Sequence, residues 1–239
     1  MVTVSNVTKN YGTEYVLDHI TVEFQPGEIY GLVGRNGSGK TMLLKAMAGL
    51  IPIDSGSIVI DDKKIGVDLD HPENTGILIE EPGFLGQYSR YANLKMLASI
   101  NNKISDKTIR EYLQLVGLDS VANKRVCKYS LGMRQRLGIA QALMEDPQLI
   151  LLDEPMNGLD DTGVEDIRNI LKSFRQKDAV IIIATHSKED IYSLCDKIYR
   201  MNRVNIPSEM VLSDRADGAC RPQKWCSAAV CMVHSYGFR

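Results

Sequence analysis

Four short apolar runs punctuate the chain and predict the strands of a buried sheet. They are Ile29–Val33, Gly76–Ile79, Leu149–Leu152 and Val180–Ala184. Runs of this length without alternating polar positions are typical of strands that are covered on both faces, as parallel strands are. Open α/β sheets bind their ligands beyond the carboxyl ends of such strands. We therefore expect the polar residues that follow the runs to form the functional site.

Other segments have strand or helix patterns. β-rich segments cover residues 2–8, 20–24 and 57–60, and helical patterns cover residues 42–50, 105–115, 134–144 and 162–176. Ser105 and Ser187 precede helical runs, and serine is a favoured N-cap residue. The order of these segments predicts an α/β protein in which strands alternate with helices.

The glycine-rich segment after the first apolar run carries the most specific motif of the chain. Its residues are Gly34, Arg35, Asn36, Gly37, Ser38, Gly39, Lys40 and Thr41. They fit the Walker A template G-x-x-x-x-G-K-[ST] at every fixed position, between a strand and a helix. Backbone N–H groups of such a loop cradle phosphate oxygens at the N-terminus of the helix. Lys40 would reach the β- and γ-phosphates, and the Thr41 hydroxyl would ligate Mg²⁺.

Further candidates lie at strand ends and helix starts. Asp153 and Glu154 end an apolar strand, where they would face Mg²⁺ and the γ-phosphate, and His186 follows the next strand. Tyr11 indicates either an aromatic that stacks on adenine or an ordinary strand-edge tyrosine, and its position alone favours the second. Ser130 begins a helix as a second anion site or as a simple N-cap.

Composition narrows the classes of function. The 239 residues include 28 basic and 30 acidic side chains and carry a net charge of −2. This balance argues against nucleic-acid binding, which favours a basic surface. No apolar run approaches the ~18 residues of a membrane span, and no signal peptide opens the chain, so we expect a cytoplasmic protein. The five cysteines are an odd number and indicate reduced thiols.

Taken together, the motifs resemble the ATP-binding subunit of an ABC transporter over about residues 1–201. The resemblance rests on Tyr11, the phosphate loop, residues 80–82, Ser130–Gln135, Asp153-Glu154, Gly158-Leu159-Asp160 and His186. It implies a phosphate-loop NTPase core with a mainly parallel sheet, an antiparallel β subdomain and a helical subdomain at about 84–143. It also implies ATP and Mg²⁺ as cofactors and a membrane permease as partner.

The resemblance assigns a role to each motif. Tyr11 would stack on adenine, Glu154 would be the general base, and His186 would contact the γ-phosphate. Ser130 and Gly132 would bind ATP seated on a second copy or on a paired ATP-binding subunit, so that hydrolysis needs a dimer. Asp160 would couple the two sites. The subunit would lie on the inner face of the membrane through its permease.

Two departures from the usual family pattern indicate a subgroup. Alignment of the Gly76–Pro82 segment puts Glu80 where the family usually has Gln, and the signature reads Tyr129-Ser130-Leu131-Gly132-Met133. Both variants resemble the motifs of the subgroup that exports antimicrobial peptides, as in lantibiotic immunity and bacitracin resistance. Glu80 places a negative charge near Mg²⁺, so we predict that it contacts the metal and couples the site to the permease.

Two other classes of function are alternatives to a transporter subunit. A soluble ABC-type ATPase outside transport is an alternative, although those usually carry two cassettes or long insertions. A GTP switch needs Asn-Lys-x-Asp, and Asn102-Lys103-Ile104-Ser105 lacks the aspartate.

Residues 202–239 do not continue the family pattern and hold three of the five cysteines. We expect this tail to be disordered, with a metal-binding tail as the less favoured interpretation.

Overall fold

A computed structural model describes residues 1–119 and 124–202, and the backbone alone of 205–211 and 226–227. The strands are β1 (Val2–Tyr11), β2 (Glu14–Phe24), β3 (Ile29–Val33), β4 (Ser55–Ile60), β5 (Lys63–Lys64), β6 (Thr75–Leu78), β7 (Leu149–Asp153), β8 (Val180–Ala184), β9 (Lys197–Asn202), β10 (Asn205–Val211) and β11 (Cys226–Ser227). The helices are α1 (Lys40–Met47), α2 (Arg90–Asn101), α3 (Asp106–Leu115), α4 (Leu131–Leu143), α5 (Asp161–Arg175) and α6 (Lys188–Leu194).

The central sheet confirms the prediction of a mainly parallel sheet. Its strand order is β11-β10-β9-β3-β8-β7-β6. The five strands from β9 to β6 pair in parallel, and β10 pairs with β9 in the antiparallel direction. β3, β8 and β7 are neighbours, so their carboxyl ends lie side by side. This arrangement brings the phosphate loop, Asp153 and His186 to one edge.

Alternate residues of the central strands enter two separate cores, one on each face of the sheet. On β7, Leu149 and Leu151 pack with the antiparallel strands and α1, whereas Ile150 and Leu152 pack with the helices on the other face. This alternation follows from the two-residue period of a strand. The continuous apolar runs of the sequence are therefore explained by cover on both faces.

A second sheet of four strands covers one face of the central sheet, and its order is β2-β1-β4-β5. All of its pairings are antiparallel, with Val4 opposite both Val22 on β2 and Ile58 on β4. This sheet is the predicted antiparallel β subdomain. It also brings β2 beside α1, close to the phosphate loop.

Helices α2 to α4 form the predicted helical subdomain. Each begins at a serine whose hydroxyl accepts a backbone N–H: Ser89 from Ala92, Ser105 from Thr108 and Ser130 from Met133. Ser187 caps α6 in the same way. Such a cap stabilises a helix by about 1 kcal/mol. The N-cap prediction for Ser105 and Ser187 is confirmed, Ser130 caps α4 as one of its two interpretations expected, and the Ser89 cap was not predicted.

The C-terminal segment differs from the sequence pattern in one respect. The pattern predicts no strand after Met201, whereas the backbone of Asn205–Val211 forms β10 along β9. Backbone hydrogen bonds to an exposed strand edge do not require a recognisable side-chain pattern, which is why the sequence gives little signal here. The predictions of disorder or metal binding for the rest of residues 202–239 lie outside the described residues and stay predictions.

Candidate functional site

The glycine-rich loop connects β3 to α1 and is closed on itself. The Ser38 N–H donates to the Arg35 carbonyl at 3.1 Å, and Gly39 has a φ of +93°. A Cβ added at Gly39 would lie 2.6 Å from the Val16 carbonyl oxygen, and one at Gly34 would lie 2.4 Å from Ser38 Oγ. Only glycine fits these two positions. The loop thus has the tight backbone that an anion cradle requires.

Lys40 folds back over the loop that precedes it. Its Nζ donates to the carbonyl oxygens of Gly34 at 2.9 Å and Arg35 at 3.3 Å, and the side chain is 7% exposed. The ammonium is therefore held at the mouth of the loop, above the N-terminus of α1. Among the described residues, the buried Ser38 hydroxyl has no hydrogen-bond partner. An unpaired buried donor beside a fixed cation suits a ligand with acceptor oxygens.

A cavity of about 470 Å³ opens at this loop. Its lining comprises Glu14, Val16, Asn36, Gly37, Ser38, Gly39, Lys40, Thr41, Met42, Asp153 and Glu154. The structure thus joins the predicted loop with the predicted acidic strand end. Val16 and Glu14 come from β2, and sequence reasoning missed them because a strand pattern does not tell which strand flanks the loop.

Tyr11 is not among the residues that line this cavity. It ends β1, is 54% exposed, and has Lys9 Nζ 5.4 Å from its ring centroid. A cation over the ring is a favourable contact in its own right. The role of Tyr11 in adenine stacking stays a prediction.

Thr41 and Asp153 meet across the loop and the end of β7. Thr41 Oγ1 donates to Asp153 Oδ2 at 2.6 Å. Burial raises the pKa of Asp153; the Thr41 hydrogen bond opposes this rise, whereas the charge on Glu154 adds to it. A hydroxyl and a carboxylate in contact supply oxygen ligands of the kind that Mg²⁺ prefers.

The residues present fit a Mg²⁺ ion that is shared with phosphates. In the described part of the chain, no three His, Cys, Asp or Glu side chains are grouped to hold a metal by themselves. Mg²⁺ usually takes only one or two protein carboxylates and completes its shell with substrate phosphates and water. Thr41 and Asp153 would hold the ion, which would neutralise phosphate charge when bound.

The raised pKa of Asp153 predicts that this carboxylate destabilises the chain when no metal is bound. Between its unfolded and folded pKa values the folded chain binds more protons, so the free energy of unfolding falls as the pH rises through that window. We expect Asp153→Asn, with chelator and without nucleotide, to have a higher Tm than wild type at neutral pH. As the pH rises from about 4, the Tm of Asp153→Asn should also fall less steeply than the Tm of wild type.

Thermal unfolding followed by circular dichroism between acidic and neutral pH checks this expectation. Asp62→Asn, at an exposed turn position with a φ of +64°, is the matched control and should follow wild type. A lower Tm for Asp153→Asn at neutral pH would contradict the argument.

Glu154 and His186 lie together, as their strand-end positions predict. His186 Nδ1 is 2.7 Å from Glu154 Oε1, and Thr185 Oγ1 donates to Glu154 Oε2 at 3.3 Å. The Glu154 N–H donates to the Ala184 carbonyl at 2.8 Å. Glu154 has a φ of +47°, an uncommon value for a residue with a side chain. The carboxylate is thus oriented at the cavity wall by the end of the neighbouring strand.

Glu80 follows β6 and is paired with a lysine on α1. Its Oε1 lies 2.6 Å from Lys45 Nζ, and its side chain is 63% exposed. The structure therefore places Glu80 beside the helix that carries the phosphate loop, and its charge contributes to the raised pKa of Asp153. Contact with a metal stays a prediction for Glu80. Sequence reasoning missed Lys45, whose only signal is its position on α1.

Ser130 and Gly132 lie in a different cavity, of about 510 Å³. It is lined by Gly117, Leu118, Ser130, Gly132, Met133, Arg136, Gly158, Leu159, Asp160 and Asp166. The two cavities share no lining residue. Within one chain, therefore, Ser130 and Gly132 are not part of the phosphate-loop cavity.

The start of α4 is nevertheless tied to the acidic strand end. Gln135 Nε2 donates to the Glu154 carbonyl at 3.1 Å and to the Pro155 carbonyl at 3.0 Å. Gln135 is 7% exposed. Gln135 belongs to the signature run of the sequence, and no role was predicted for it. A buried amide that binds two carbonyls fixes α4 relative to the segment after β7.

Comparison with known proteins gives one family and several relatives. Residues 17–157 match the family model described as ABC transporter. The chain is 46% identical over 202 residues to an uncharacterized ABC transporter ATP-binding protein, YybJ, of Bacillus subtilis, which covers 84% of this chain and 93% of that protein.

Two further relatives have names that state a transported molecule. The chain is 36% identical to the lantibiotic transport ATP-binding protein SrtF of Streptococcus pyogenes, over 83% of this chain and 85% of SrtF. It is 37% identical to the bacitracin transport ATP-binding protein BcrA of Enterococcus faecalis, over 87% of this chain and 68% of BcrA.

The fold is also similar to solved structures. The dimeric structure of MJ0796, a bacterial ABC transporter cassette, superposes with a TM-score of 0.80 at 23% identity and covers 90% of this chain and 100% of that one. At this identity the likeness concerns the fold. The α/β phosphate-loop architecture predicted from the sequence is confirmed.

Proposed function

The chain belongs to the ABC transporter family as an ATP-hydrolysing subunit, and from this premise we propose that it powers export of an antimicrobial peptide through a separate membrane permease. The proposal rests first on its similarity to a lantibiotic transport protein and a bacitracin transport protein at 36% and 37% identity. In the described part of the chain, no helix is long and apolar enough to cross a bilayer. A separate permease would supply the path, and the subunit would lie against it on the cytoplasmic side.

The single observation that supports the chemistry best is the convergence of predicted residues at one sheet edge. Thr41 bonds Asp153 at 2.6 Å, and Glu154 bonds His186 at 2.7 Å, on neighbouring strand ends. We assign phosphate binding to the loop and Lys40, Mg²⁺ binding to Thr41 and Asp153, and the general base to Glu154. Phosphoryl transfer of this kind depends on positioning and on charge stabilisation.

A composite site accounts for the two separate cavities. Ser130 and Gly132 line a cavity that shares no residue with the phosphate-loop cavity of the same chain. The first N–H groups of an α-helix have no partner within the helix backbone, and its N-terminus suits an anion. We infer that the surface formed by Ser130 and Gly132, called here the Ser130–Gly132 face, receives the γ-phosphate of ATP bound to a second copy or to a paired subunit. Turnover would then require two ATP-binding subunits.

Glu80 is the residue that we assign to coupling with the permease. It lies between α1, through Lys45, and the segment that leads into the helical subdomain. We expect Glu80→Gln to weaken the Lys45 contact and to lower peptide resistance in cells several-fold, while Tm stays near wild type because the Glu80 side chain is largely exposed. ATPase assays and resistance assays with the permease present check this. Unchanged values in both assays would exclude Glu80 from coupling.

Expression with its permease in a peptide-sensitive host tests the proposed function. The partner is a candidate permease from the same genome, and the readout is the minimum inhibitory concentration of lantibiotics and of bacitracin. We expect resistance to rise only when both proteins are present and to be lost with Glu154→Gln. An ATPase-active pair that protects against none of these peptides would refute the export proposal and would leave the ATPase assignment standing.

A further inference from the structure

Arg136 joins α4 to the turn after α3 and to the start of α5. Its Nη1 donates to the Val116 carbonyl at 2.9 Å, in the turn after α3. Its Nη2 lies 3.4 Å from Asp160 Oδ1, and Nη1 lies 3.6 Å from Asp166 Oδ2. The Arg136 side chain is 16% exposed, whereas that of Asp160 is 77% exposed. The guanidinium is thus largely buried between these segments, and the Asp160 carboxylate that it faces is exposed to solvent.

Two glycines leave room for this guanidinium. A Cβ added at Gly163 would lie 2.4 Å from Arg136 Nη2, and one added at Gly117 would lie 3.1 Å from Nη1. Gly117 follows α3, and Gly163 lies in the first turn of α5. Larger side chains at these two positions would displace the guanidinium. The backbone on both sides is therefore shaped around it.

Arg136 also lines the same cavity as Ser130, Gly132 and Asp160. Asp160 caps α5 by accepting the Gly163 N–H at 3.1 Å, so the same carboxylate oxygen faces both the helix end and Arg136. Movement of the guanidinium would therefore shift the start of α5 relative to Ser130. Arginine suits this task because its planar fork donates in several fixed directions at once.

We propose that Arg136 is a positioning residue that holds Asp160 and the start of α5 in register with the Ser130–Gly132 face. The inference rests on the composite site of the proposed function, because this face would act on ATP bound to a second subunit. Arg136 would set the rate of turnover by the dimer. It would not affect binding of ATP to the phosphate loop of its own chain.

Arg136→Lys tests the proposal because lysine keeps the charge and loses the fork. We expect kcat to fall about tenfold, with the dissociation constant of ATP for the isolated chain within about twofold of wild type. Arg110→Lys, an exposed arginine of the same helical subdomain whose guanidinium lies over the Tyr91 ring, is the control and should match wild type. A purely structural role would lower Tm and ATP binding together, and it would not split kcat from affinity.

A double-mutant cycle shows whether Arg136 acts through Asp160. In the Asp160→Ala background, Arg136→Lys should lower kcat by less than about twofold, because the oxygen that Arg136 faces is absent. Additive losses would overturn the link between the two residues. Gly163→Ala gives a second route, since its methyl group would displace both the guanidinium and the Asp160 oxygen that it faces, while alanine favours the helix. It should lower kcat with ATP affinity unchanged, and a wild-type kcat would overturn the proposal.

The dependence of turnover on protein concentration separates this inference from the proposed function. If wild-type turnover per molecule does not rise with concentration, the composite site fails whatever Arg136 does. If wild-type turnover does rise and both Arg136→Lys and Gly163→Ala behave like Arg110→Lys, the Arg136 inference alone fails. Should Arg136→Lys fail to fold, Gly163→Ala decides.

Discussion

Glu154→Gln is expected to hydrolyse ATP at least about 100-fold more slowly than wild type while it retains ATP. General-base catalysis contributes roughly 10² to 10⁴ in rate, and glutamine cannot accept the proton. The substitution keeps the size of the side chain and can keep the contacts to His186 and Thr185, at 2.7 and 3.3 Å in wild type. Binding of ATP should therefore survive, and the ATP-bound dimer should accumulate.

Phosphate release and size-exclusion chromatography with ATP and Mg²⁺ measure the two effects. Glu111→Gln removes an exposed carboxylate of α3 and serves as the matched control, with wild-type turnover and no trapped dimer. An ATPase rate near wild type in Glu154→Gln would remove Glu154 from the role of base. Slow hydrolysis without an ATP-dependent dimer would keep the base and would contradict the composite site.

Lys40→Ala is expected to weaken ATP binding by on the order of 100-fold. A hydrogen bond to a charged group contributes up to about 3 kcal/mol, and each 1.4 kcal/mol corresponds to a factor of ten in affinity. Lys40 Nζ is already held at the loop by the Gly34 and Arg35 carbonyls, so little ordering of the side chain is needed when phosphate binds. The loss should fall on affinity, and turnover should be lost with it.

Titration with a fluorescent ATP analogue in Mg²⁺ measures this affinity. Lys107→Ala removes an equal charge from an exposed site, 86% accessible, and should leave binding unchanged. Because both variants change net charge by the same amount, a general electrostatic effect would lower affinity in both. Equal affinity of Lys40→Ala and wild type would refute the phosphate contact.

The local patterns of the sequence predicted most elements of the fold. β3 and β8 occupy the predicted Ile29–Val33 and Val180–Ala184, because continuous apolar runs report cover on both faces. Helix ends were less well placed: α1 begins at Lys40 and ends at Met47, inside the predicted end at Leu50. Gly49, with a φ of +71°, ends the helix, since its N–H donates to the Ala46 carbonyl.

The sequence predicted which strand ends carry the candidate site, but it predicted few of the contacts between the site residues. The loop, Asp153, Glu154 and His186 were predicted to lie together because each follows a recognisable strand. Gln135 and Lys45 were missed as contributors, because a glutamine or lysine on a helix is usually solvated and gives no local signal. Tyr11 illustrates the opposite case, since its adenine contact depends on a cavity that it does not line in this structure.

What the sequence determined by itself is a Walker A loop, an acidic strand end and an α/β sheet that carries both. These follow from short-range chemistry: glycine spacing, burial period and serine caps act within a few residues. Only the tertiary structure decided that Ser130 lies in a separate cavity, that Lys45 pairs with Glu80, and that Arg136 faces Asp160. Such contacts join residues 24 or 35 positions apart, and no local pattern of polarity specifies which distant partner a charged side chain meets.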